Sequence, residues 1–338
     1  MMKKIKIIVS MALVSVLVIG TFAGCSSTKK TTTADTKGTI ELKLGMVDSE
    51  KSNYYKGMKK VAEEVNTATK GKVKITVYPS SQLGNERDMY EGAQLGSIDM
   101  CSTANSVMSS FVPEMAILDQ PFLFDSVEQA NKVIDGKFGN RIAEKTATQG
   151  VHTLGWMESG FRNVFANRPI QKIEDFKGLK IRTMENKVHI AAFNALGAIA
   201  TPMAAGDVFT GLQQKTIDAA ENATANVLAN NYYEVTKNIT RTQHVFTFIG
   251  INMSDKAWNK IPDDLKDTFT AAVKRGCVAQ RQYLIDANTD AEKQLITKGV
   301  KFYDIDQDIL KAAVAPSMKQ FQSQIPKEWV DLLEESKK

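Results

Sequence analysis

Two arginines stand at predicted strand ends, where a guanidinium group is well placed to hold a carboxylate. Arg182 ends a short alternating segment that begins at Gly178, and Arg162 follows Gly160 at the start of another predicted strand. The rigid fork of N–H donors on a guanidinium matches the two oxygens of a carboxylate. If the strands are neighbours, both side chains converge on one crevice. The sequence therefore makes the protein a candidate receptor for an organic acid.

Spacing alone also allows a simpler role for Arg182. Asp175 and Glu185 lie close to it in sequence, and an ion pair with either is the more common role for an arginine at such a position. The residues by themselves leave both interpretations open.

The common enzyme motifs are missing from the sequence. There is no phosphate-binding P-loop, dinucleotide fingerprint, H-E-x-x-H, C-x-x-C or G-x-S-x-G motif. His152, His189 and His244 are widely spaced, so no pair has the spacing of metal ligands. We therefore predict no catalysis, no cofactor and no metal. A hydrolase based on Ser159 or Ser102, or a purely structural lipoprotein, remains an alternative.

The N-terminus predicts export and lipid anchoring. Lys3, Lys4 and Lys6 precede an apolar run, so residues 1–24 are typical of a secretory signal peptide. The run ends before Cys25 in a segment that resembles a bacterial lipobox, which predicts acylation of that cysteine. Residues 25–38 are rich in Ser, Thr and Lys and predict a flexible linker. We expect an extracytoplasmic protein that is anchored to the cell membrane.

Composition excludes a nucleic-acid partner. The 338 residues carry a net charge of +5, and removal of the three lysines of the signal peptide leaves 40 basic and 38 acidic residues, a net charge of +2. This balance is too even for a nucleic-acid-binding protein. The mature chain keeps Cys101 and Cys277, which we predict to be two buried free thiols, with a disulfide as the alternative. We expect a monomer.

Strands and helices alternate along the chain, which predicts an α/β fold with mostly parallel sheets. A folded length of roughly 300 residues favours two lobes. We assign residues 39–159 and 248–287 to lobe I, and 160–247 and 288–338 to lobe II, with hinge strands near 159 and 248. Residues 238–253 predict one long strand between the lobes. A helix that starts near Pro262 and runs to about Lys298 is long enough to brace both lobes.

Several motifs in this order resemble one family of transport proteins. They are Tyr78 to Gly84, Gly92 to Asp99, Pro113-Glu114, Gly178 to Arg182, Ala195 to Gly197, Thr201 to Met203, and Asp218 to Asn222. The sequence resembles the C4-dicarboxylate-binding type of substrate-binding protein, which serves tripartite ATP-independent periplasmic (TRAP) transporters. The likeness covers about residues 40–330. It implies a two-lobed periplasmic-binding-protein-like fold that closes on a carboxylate and delivers it to a membrane permease, without catalysis or a cofactor.

The resemblance also implies which residues bind the ligand. Arg182 matches the arginine that holds the carboxylate, Arg162 a second arginine of some members, and Asn222 the asparagine of an E-N pair. The further positions that it implies are Glu86, next to Arg87, together with Asn105, Glu185 and His189. Compared with the sialic-acid-binding branch, Ala104, Val107 and Ala205 replace a glutamate, an arginine and a phenylalanine. Sialic acid is therefore disfavoured.

The predicted pocket favours one class of acid. A dicarboxylate needs two cationic ends and few acids, because a desolvated glutamate facing a second carboxylate is repulsive. Glu86 and Glu185 are better suited to accept hydrogen bonds from hydroxyls. We therefore favour a sugar acid such as a uronate or an aldonate. The alternative is a C4-dicarboxylate or a small oxo or hydroxy acid held by both Arg162 and Arg182.

Overall fold

Eleven strands in the described part of the chain form two separate sheets. The computed structural model describes residues 38–338, which make one compact unit, so the predicted signal peptide and Cys25 lie outside the described residues. The strands are β1 (Ile40–Gly45), β2 (Val73–Tyr78), β3 (Met100–Ala104), β4 (Val151–Phe161), β5 (Asn163–Ala166), β6 (Lys180–Thr183), β7 (Ile199–Pro202), β8 (Ala219–Asn222), β9 (Asn238–Arg241), β10 (Phe246–Ser254) and β11 (Lys301–Asp304).

Each sheet is the centre of one lobe. The first has the order β2-β1-β3-β10-β4, with β1 parallel to β2 and β3, and β10 antiparallel to β3 and β4. The second has the order β11-β9-β5-β8-β6-β7, in which β6 and β8 are parallel and β5 is antiparallel to β8. We call these sheets, with the helices packed on them, lobe I and lobe II. The α/β architecture with two lobes is confirmed, but both sheets mix parallel and antiparallel pairs, so the prediction of mostly parallel sheets is corrected.

Helices connect the strands and cover the sheets. They are α1 (Asn53–Ala68), α2 (Glu86–Gln94), α3 (Asn105–Met108), α4 (Val127–Asp135), α5 (Lys137–Ala147), α6 (Lys187–Ala195), α7 (Val208–Gln213), α8 (Thr224–Ala229), α9 (Asp255–Trp258), α10 (Asp263–Thr297), α11 (Gln307–Gln322) and α12 (Lys327–Lys337). Short 3₁₀ turns cover Pro113–Asp119, Ile173–Phe176, Ala205–Asp207 and Tyr232–Glu234.

Helix α10 has 35 residues and contacts both lobes, as the sequence predicts. Its first half packs on α1 and β4, and its second half on α8 and β11. The crossing with α1 is close, because a Cβ atom on Gly276 would lie only 2.6 Å from the Cα atom of Val61. The α1 face fits this contact, since Met58, Val61 and Val65 recur at helical spacing and are all buried.

The structure corrects two predictions about how the chain is divided. Residues 238–253 form two strands in different sheets, separated by a turn in which Gln243 has a φ angle of 45°. No glycine or proline marks this turn in the sequence. The last helix, α12, belongs to lobe I, because Trp329 and Leu333 pack in the same core cluster as Phe138. The prediction that placed all of 288–338 in lobe II is therefore wrong for α12.

The predicted hinge positions lie within paired strands. Glu158 of β4 pairs with Phe248 of β10, and Gly160 pairs with Thr247. The chain passes from one sheet to the other just after these pairs, at Arg162 and again over residues 242–245. Bending at these points stays a prediction.

The two cysteines of the described residues are free and buried, which confirms the prediction of two thiols. Burial raises the pKa of both Cys101 and Cys277 to about 12. Both therefore remain neutral thiols within their lobe I core clusters.

Candidate ligand-binding site

A cavity of about 410 Å³, including the space at its mouth, lies between the lobes at the edge where the strands of both sheets end. Strands β6 and β8 are parallel, so their carboxyl ends share this edge, and the antiparallel β5 begins there. Crevices at the carboxyl ends of strands are the usual ligand sites of open α/β sheets. The cavity is lined by Val47, Asp48, Tyr54, Glu86, Ala104, Ser159, Arg162, Arg182, Met184, Ala205, Asn222, Asn226, Tyr232 and Ile249.

Arg162 lines the cavity, but the protein itself occupies all of its donors. Nε and Nη2 donate to the carboxylate of Glu221, and Nη2 also donates to the Glu221 carbonyl oxygen at 2.6 Å. Nη1 donates to Asn222 Oδ1 at 3.1 Å and to Ser159 Oγ at 3.5 Å. Each of the five N–H groups of the guanidinium therefore has an acceptor. Arg162 is neutralised and fixed in place by β8.

Arg182 is buried as deeply, yet most of its donors are unused. Nε donates to the carbonyl oxygen of Met203 at 2.8 Å, and the nearest carboxylate oxygen, of Glu221, is 3.8 Å from Nη1. No described residue accepts a hydrogen bond from Nη1 or Nη2. The ion pair predicted as an alternative, with Asp175 or Glu185, does not form, because Asp175 instead accepts from the backbone of Gln171 and Lys172.

The pKa shifts of the two arginines reflect this difference. Burial lowers the pKa of Arg182, and the distant Glu221 restores only part of the loss. Burial acts on Arg162 in the same direction, but the contacts with Glu221 outweigh it and leave the pKa of Arg162 raised. Arg182 is therefore the buried cation that lacks a full counter-charge.

Glu221 is the carboxylate that the charged groups beside the cavity share as a neighbour. Burial alone would raise its pKa, but Arg162 and the imidazole of His244, whose Nε2 is 3.4 Å from Oε2, hold the pKa of Glu221 well below its usual range. Burial lowers the pKa of His244 despite this carboxylate. Glu221 thus stays ionised and keeps Arg162 in a fixed position beside Arg182.

Two acids of lobe I face the arginines from across the cavity. Removal from water raises the pKa of Glu86 to about 7, and the neighbouring Asp48 adds to this effect. Desolvation likewise raises the pKa of Asp48, against the hydrogen bond that Asn230 donates to it. The backbone N–H of Ala104 donates to Glu86 Oε1 at 2.8 Å, which orients the carboxyl group. Near neutral pH, Glu86 can both donate and accept a hydrogen bond.

Asn222 presents an oriented amide to the cavity. Its Oδ1 accepts from Arg162 Nη1, from Asn226 Nδ2 at 3.0 Å and from the backbone N–H of Ala223 at 2.8 Å. These three donors fix which end of the amide is oxygen. The Nδ2 group is therefore a donor that points away from them, with no described acceptor.

Three residues that the sequence analysis placed in the pocket do not line it. Asn105 is fully buried, its Nδ2 donates to Asp119 at 2.7 Å, and its Oδ1 accepts from the Phe248 backbone at 2.8 Å. His189 is also buried, with Nε2 3.6 Å from Asp119 Oδ1. Glu185 lies 3.6 Å from Arg87 Nε, outside the cavity. In this structure Asn105 serves contacts within lobe I, and His189 and Glu185 serve contacts between the lobes, which is why the three side chains do not line the cavity.

The sequence analysis missed four polar residues of the cavity and the role of Glu221. Asp48 and Tyr54 come from lobe I, and Asn226 and Tyr232 from lobe II. Asp48 follows shortly after β1, so the strand-end argument used for the arginines could have found it. Tyr54, Asn226 and Tyr232 lie on helical turns, where spacing gives no such signal.

The two lobes touch across the mouth of the cavity. Ser49 Oγ donates to the Ala229 carbonyl oxygen at 2.9 Å, and Asn230 Nδ2 donates to Asp48 Oδ1 at 3.1 Å. Asn226 Nδ2 donates to the Tyr54 hydroxyl at 2.8 Å. The structure is therefore of a closed form, in which the cavity continues into a wider opening of about 830 Å³.

Other types of site find no support in residues 38–338. No group of three His, Cys, Asp or Glu side chains in that range is arranged to hold a metal ion. Within the same range, no helix has the length and apolar character that a membrane span requires.

The chain belongs to the bacterial extracellular solute-binding proteins of family 7 (DctP), whose family model matches residues 44–325. It is similar to a TRAP periplasmic solute-binding protein of Polaromonas sp. JS666 bound to D-erythronate, with 36% identity, a TM-score of 0.84, and coverage of 87% of this chain and 98% of that one. It is also similar to the sugar acid-binding protein DctPAm of Advenella mimigardefordensis in complex with galactonate, with 30% identity, a TM-score of 0.85, and coverage of 88% and 98%.

A curated relative is similar over most of its length. The 2,3-diketo-L-gulonate-binding periplasmic protein YiaO of Escherichia coli K12 is 31% identical over 264 residues, which are 76% of this chain and 80% of the relative. The family predicted from the sequence is confirmed. The protein is an extracytoplasmic solute receptor of the TRAP type.

Proposed function

We propose that this receptor binds a sugar acid, an aldonate or a uronate, with the ligand carboxylate on Arg182. The observation that carries the proposal is the unequal state of the two arginines. Glu221, Asn222 and Ser159 use every donor of Arg162, whereas Nη1 and Nη2 of Arg182 have no described acceptor. One open cationic fork suits one carboxylate.

The remaining polar groups suit hydroxyls better than a second carboxylate. Glu86 and Asp48 lie opposite the arginines, and a dianion would bring its second charge towards these acids. A hydroxyl can donate to either carboxyl group and can accept from the Nδ2 group of Asn222. The relatives from Polaromonas and Advenella are bound to D-erythronate and galactonate. Each of these two ligands has one carboxylate and several hydroxyls.

The ligand is bound and released unchanged, and it is handed to a membrane permease of the TRAP type. In this proposal Cys25 carries the lipid that keeps the receptor at the membrane, and the folded part acts as a monomer. Mass spectrometry of the mature N-terminus tests the anchor, because a diacylated Cys25 and an unmodified N-terminus differ by the mass of the lipid.

Calorimetric titration with two ligand series tests the proposed ligand class. The first series is D-erythronate, galactonate, glucuronate and galacturonate, and the second is succinate, malate and fumarate. We expect tight binding only in the first series. Arg182→Lys should weaken that binding by about 100-fold or more, because lysine cannot reproduce the two parallel hydrogen bonds of the fork.

Arg141→Lys serves as the matched control, since Arg141 is a solvent-exposed residue of α5 that pairs with Glu144. Circular dichroism checks that each variant is folded. Tight binding of succinate or malate without any binding of sugar acids would refute the proposal and favour the dicarboxylate alternative. Equal affinities of the Arg182→Lys and Arg141→Lys variants would refute the role of Arg182.

A further inference from the structure

The wider opening outside the ligand cavity is itself large enough to hold part of a ligand. Its volume of about 830 Å³, including its open side, lies within the range of about 300–1,000 Å³ that is usual for small-molecule sites. Lobe I contributes the loops after β1 and β2, and lobe II contributes the start of α7 and the end of α8. The lining residues are Val47, Ser49, Ser80, Ser81, Asn85, Ala205, Gly206, Asp207, Phe209, Ala229, Asn230, Asn231 and Tyr232.

Three residues line both the cavity and the wider opening, so the two spaces adjoin. They are Val47 of lobe I, and Ala205 and Tyr232 of lobe II. The ring of Tyr232 is held in place, because it stacks on Phe165 at a centroid distance of 5.2 Å. Ala205 presents only a methyl group at this border. A ligand in the cavity can therefore carry a substituent that extends past Ala205 while the lobes are together.

The border lies close to the arginine that we assign to the ligand carboxylate. Arg182 Nε donates to the Met203 carbonyl oxygen at 2.8 Å, and Ala205 follows Met203 by two residues. Two residues span at most about 7 Å of chain. A substituent that passes Ala205 must therefore leave the ligand near its carboxylate, from the second or third carbon of the acid.

The lining of the wider opening favours a substituent that is uncharged and hydroxylated. Its lining residues include no lysine, arginine or histidine, and Asp207 is their only acid. A second carboxylate would find no cation there and would be repelled by Asp207. Ser80 and Asp207 are exposed and Asn231 is half-buried, so their side chains are accessible to hydroxyls. The half-buried Phe209 offers an apolar surface to the C–H groups of a sugar ring.

Backbone strain in the same wall supports a role in binding. Ser80 and Ser81 have φ angles of 54° and 56°, in the left-handed region that serine rarely adopts. The Ser80 N–H donates to the Asp48 carbonyl oxygen at 2.9 Å, and the Ser81 N–H donates to the Met46 carbonyl oxygen at 3.1 Å. These bonds hold the strained turn against the loop after β1. Such strain is concentrated at ligand sites, where the surrounding structure offsets its cost.

We propose that the wider opening is a second subsite, and that the transported acid carries a sugar group on the oxygen of its second or third carbon. The carboxylate lies on Arg182, the carbon chain of the acid lies in the cavity, and the sugar group passes Ala205 into the wider opening. This inference rests on the sugar-acid assignment above and narrows it to glycosylated hydroxy acids.

Calorimetric titration with two matched pairs of acids tests the subsite. The first pair is D-glycerate and 2-O-α-mannosyl-D-glycerate, which differ only by the sugar on the second carbon. We expect the mannosylated acid to bind at least about 10-fold more tightly. The second pair is gluconate and lactobionate, which carries its extra sugar on the fourth carbon. Lactobionate should bind no more tightly than gluconate, because its fourth carbon lies beyond the border at Ala205.

Substitutions at the border and in the wider opening should change the preference within the first pair. Ala205→Leu narrows the border and should lower the affinity for the mannosylated acid by at least about 10-fold more than the affinity for glycerate. Asp207→Ala removes an acceptor for sugar hydroxyls and should also reduce this preference. Ala271→Leu, at an exposed position of α10, is the control and should bind both acids like the wild type. Circular dichroism checks that each variant is folded.

Equal affinities for glycerate and its mannosylated form, or an equal loss of both in Ala205→Leu, would overturn the second subsite. Tighter binding of lactobionate than of gluconate would overturn the attachment near the carboxylate. The sugar-acid assignment would survive either result, since it depends on galactonate, glucuronate and the other simple acids. Failure of every sugar acid to bind would overturn both proposals.

Discussion

Two arginines on one cavity wall differ in role because of a single neighbouring carboxylate. Glu221 lies on β8, between the strand that begins after Arg162 and the strand that carries Arg182. It forms a two-point contact with Arg162 but remains 3.8 Å from Arg182. Arg162 becomes part of the scaffold, while Arg182 keeps donors for a ligand. Residue type alone does not reveal this division.

The raised pKa of Glu86 predicts how the stability of the protein depends on pH. Between its ordinary value of 4.5 and the raised pKa of about 7, the folded protein holds a proton that the unfolded chain has released. The free energy of unfolding therefore falls as pH rises through this interval, by on the order of 3 kcal/mol, and the loss is complete above pH 7. Glu86→Gln should flatten this part of the profile. Urea denaturation between pH 4.5 and 8 measures it.

The same substitution separates charge from shape in ligand binding. In the Glu86→Gln variant, the new side-chain amide can still accept from the Ala104 backbone but carries no charge at any pH. Affinity for a sugar acid should fall above pH 7 in the wild type, where ionised Glu86 faces an anionic ligand, and should stay level in Glu86→Gln. A wild-type affinity that does not change between pH 6 and 8 would contradict this account. Glu91→Gln, on the exposed side of α2, is the control.

At the scale of elements, Asn186 links the strand of Arg182 to the opposite lobe. Its Oδ1 accepts from the Val188 and His189 backbone N–H groups and so caps α6. Its Nδ2 donates to Asp119 Oδ2 at 2.7 Å and to the Ser106 carbonyl oxygen at 3.0 Å. One amide thus closes a helix end and joins the lobes.

Two substitutions at this position separate the two contributions. Asn186→Ala loses both the cap and the contacts with Asp119, which should lower the free energy of unfolding by about 3 kcal/mol. Asn186→Ser keeps an oxygen that can cap α6, so its loss should be about 1 kcal/mol smaller. Urea denaturation measures both.

Asn194→Ala is the control, because Asn194 makes a single exposed contact with the Ala200 backbone. If the serine variant is as unstable as the alanine variant, the cap contributes nothing. If neither is less stable than the control, the contacts with Asp119 do not join the lobes.

Strand-end reasoning located the site in the sequence but not every side chain in it. Periodicity placed Arg182 at a strand end, and this residue lines the cavity. Side chains alternate between the two faces of a strand, so a shift of one residue reverses the direction. Just beyond the strand ends the direction also changes with each residue: Ala104 lines the cavity whereas Asn105, the first residue of α3, contacts Asp119, and Met184 lines the cavity whereas Glu185 does not. Element boundaries read from sequence are too coarse to settle such a step.

Packing between elements that are far apart in the chain could not be predicted from the sequence either. The apolar face of α12 predicts burial, but nothing in its residues says which lobe it covers. Trp329 makes an edge-on contact with Phe138, at a centroid distance of 5.6 Å, nearly 200 positions earlier in the chain. The turn at Gln243 could not be predicted from the sequence either. Its positive φ angle belongs to a turn between two strands of different sheets, and the positions of those sheets are not visible in the sequence.

At the scale of the whole molecule, function depends on how closely the lobes approach. Gly206 of lobe II faces the start of α2 in lobe I, in the wider opening outside the cavity. A Cβ atom on Gly206 would lie 2.7 Å from Asn85 Oδ1 and 3.2 Å from Ser81 Oγ. The absence of a side chain at this position permits the closed form.

Gly206→Val should therefore shift the population towards an open form without unfolding either lobe. The lobes keep their separate cores, so the free energy of unfolding should change by less than about 1 kcal/mol. Affinity for the transported acid should fall by about 10-fold or more, because only the closed fraction binds with full strength. Small-angle X-ray scattering should give a larger radius of gyration for the variant than for the wild type.

Gly38→Val, where nothing lies within 4 Å, is the control. An unchanged affinity in the Gly206→Val variant would mean that binding does not require the contact between Gly206 and Asn85, and that the closed form of this structure is tighter than the one that holds the ligand.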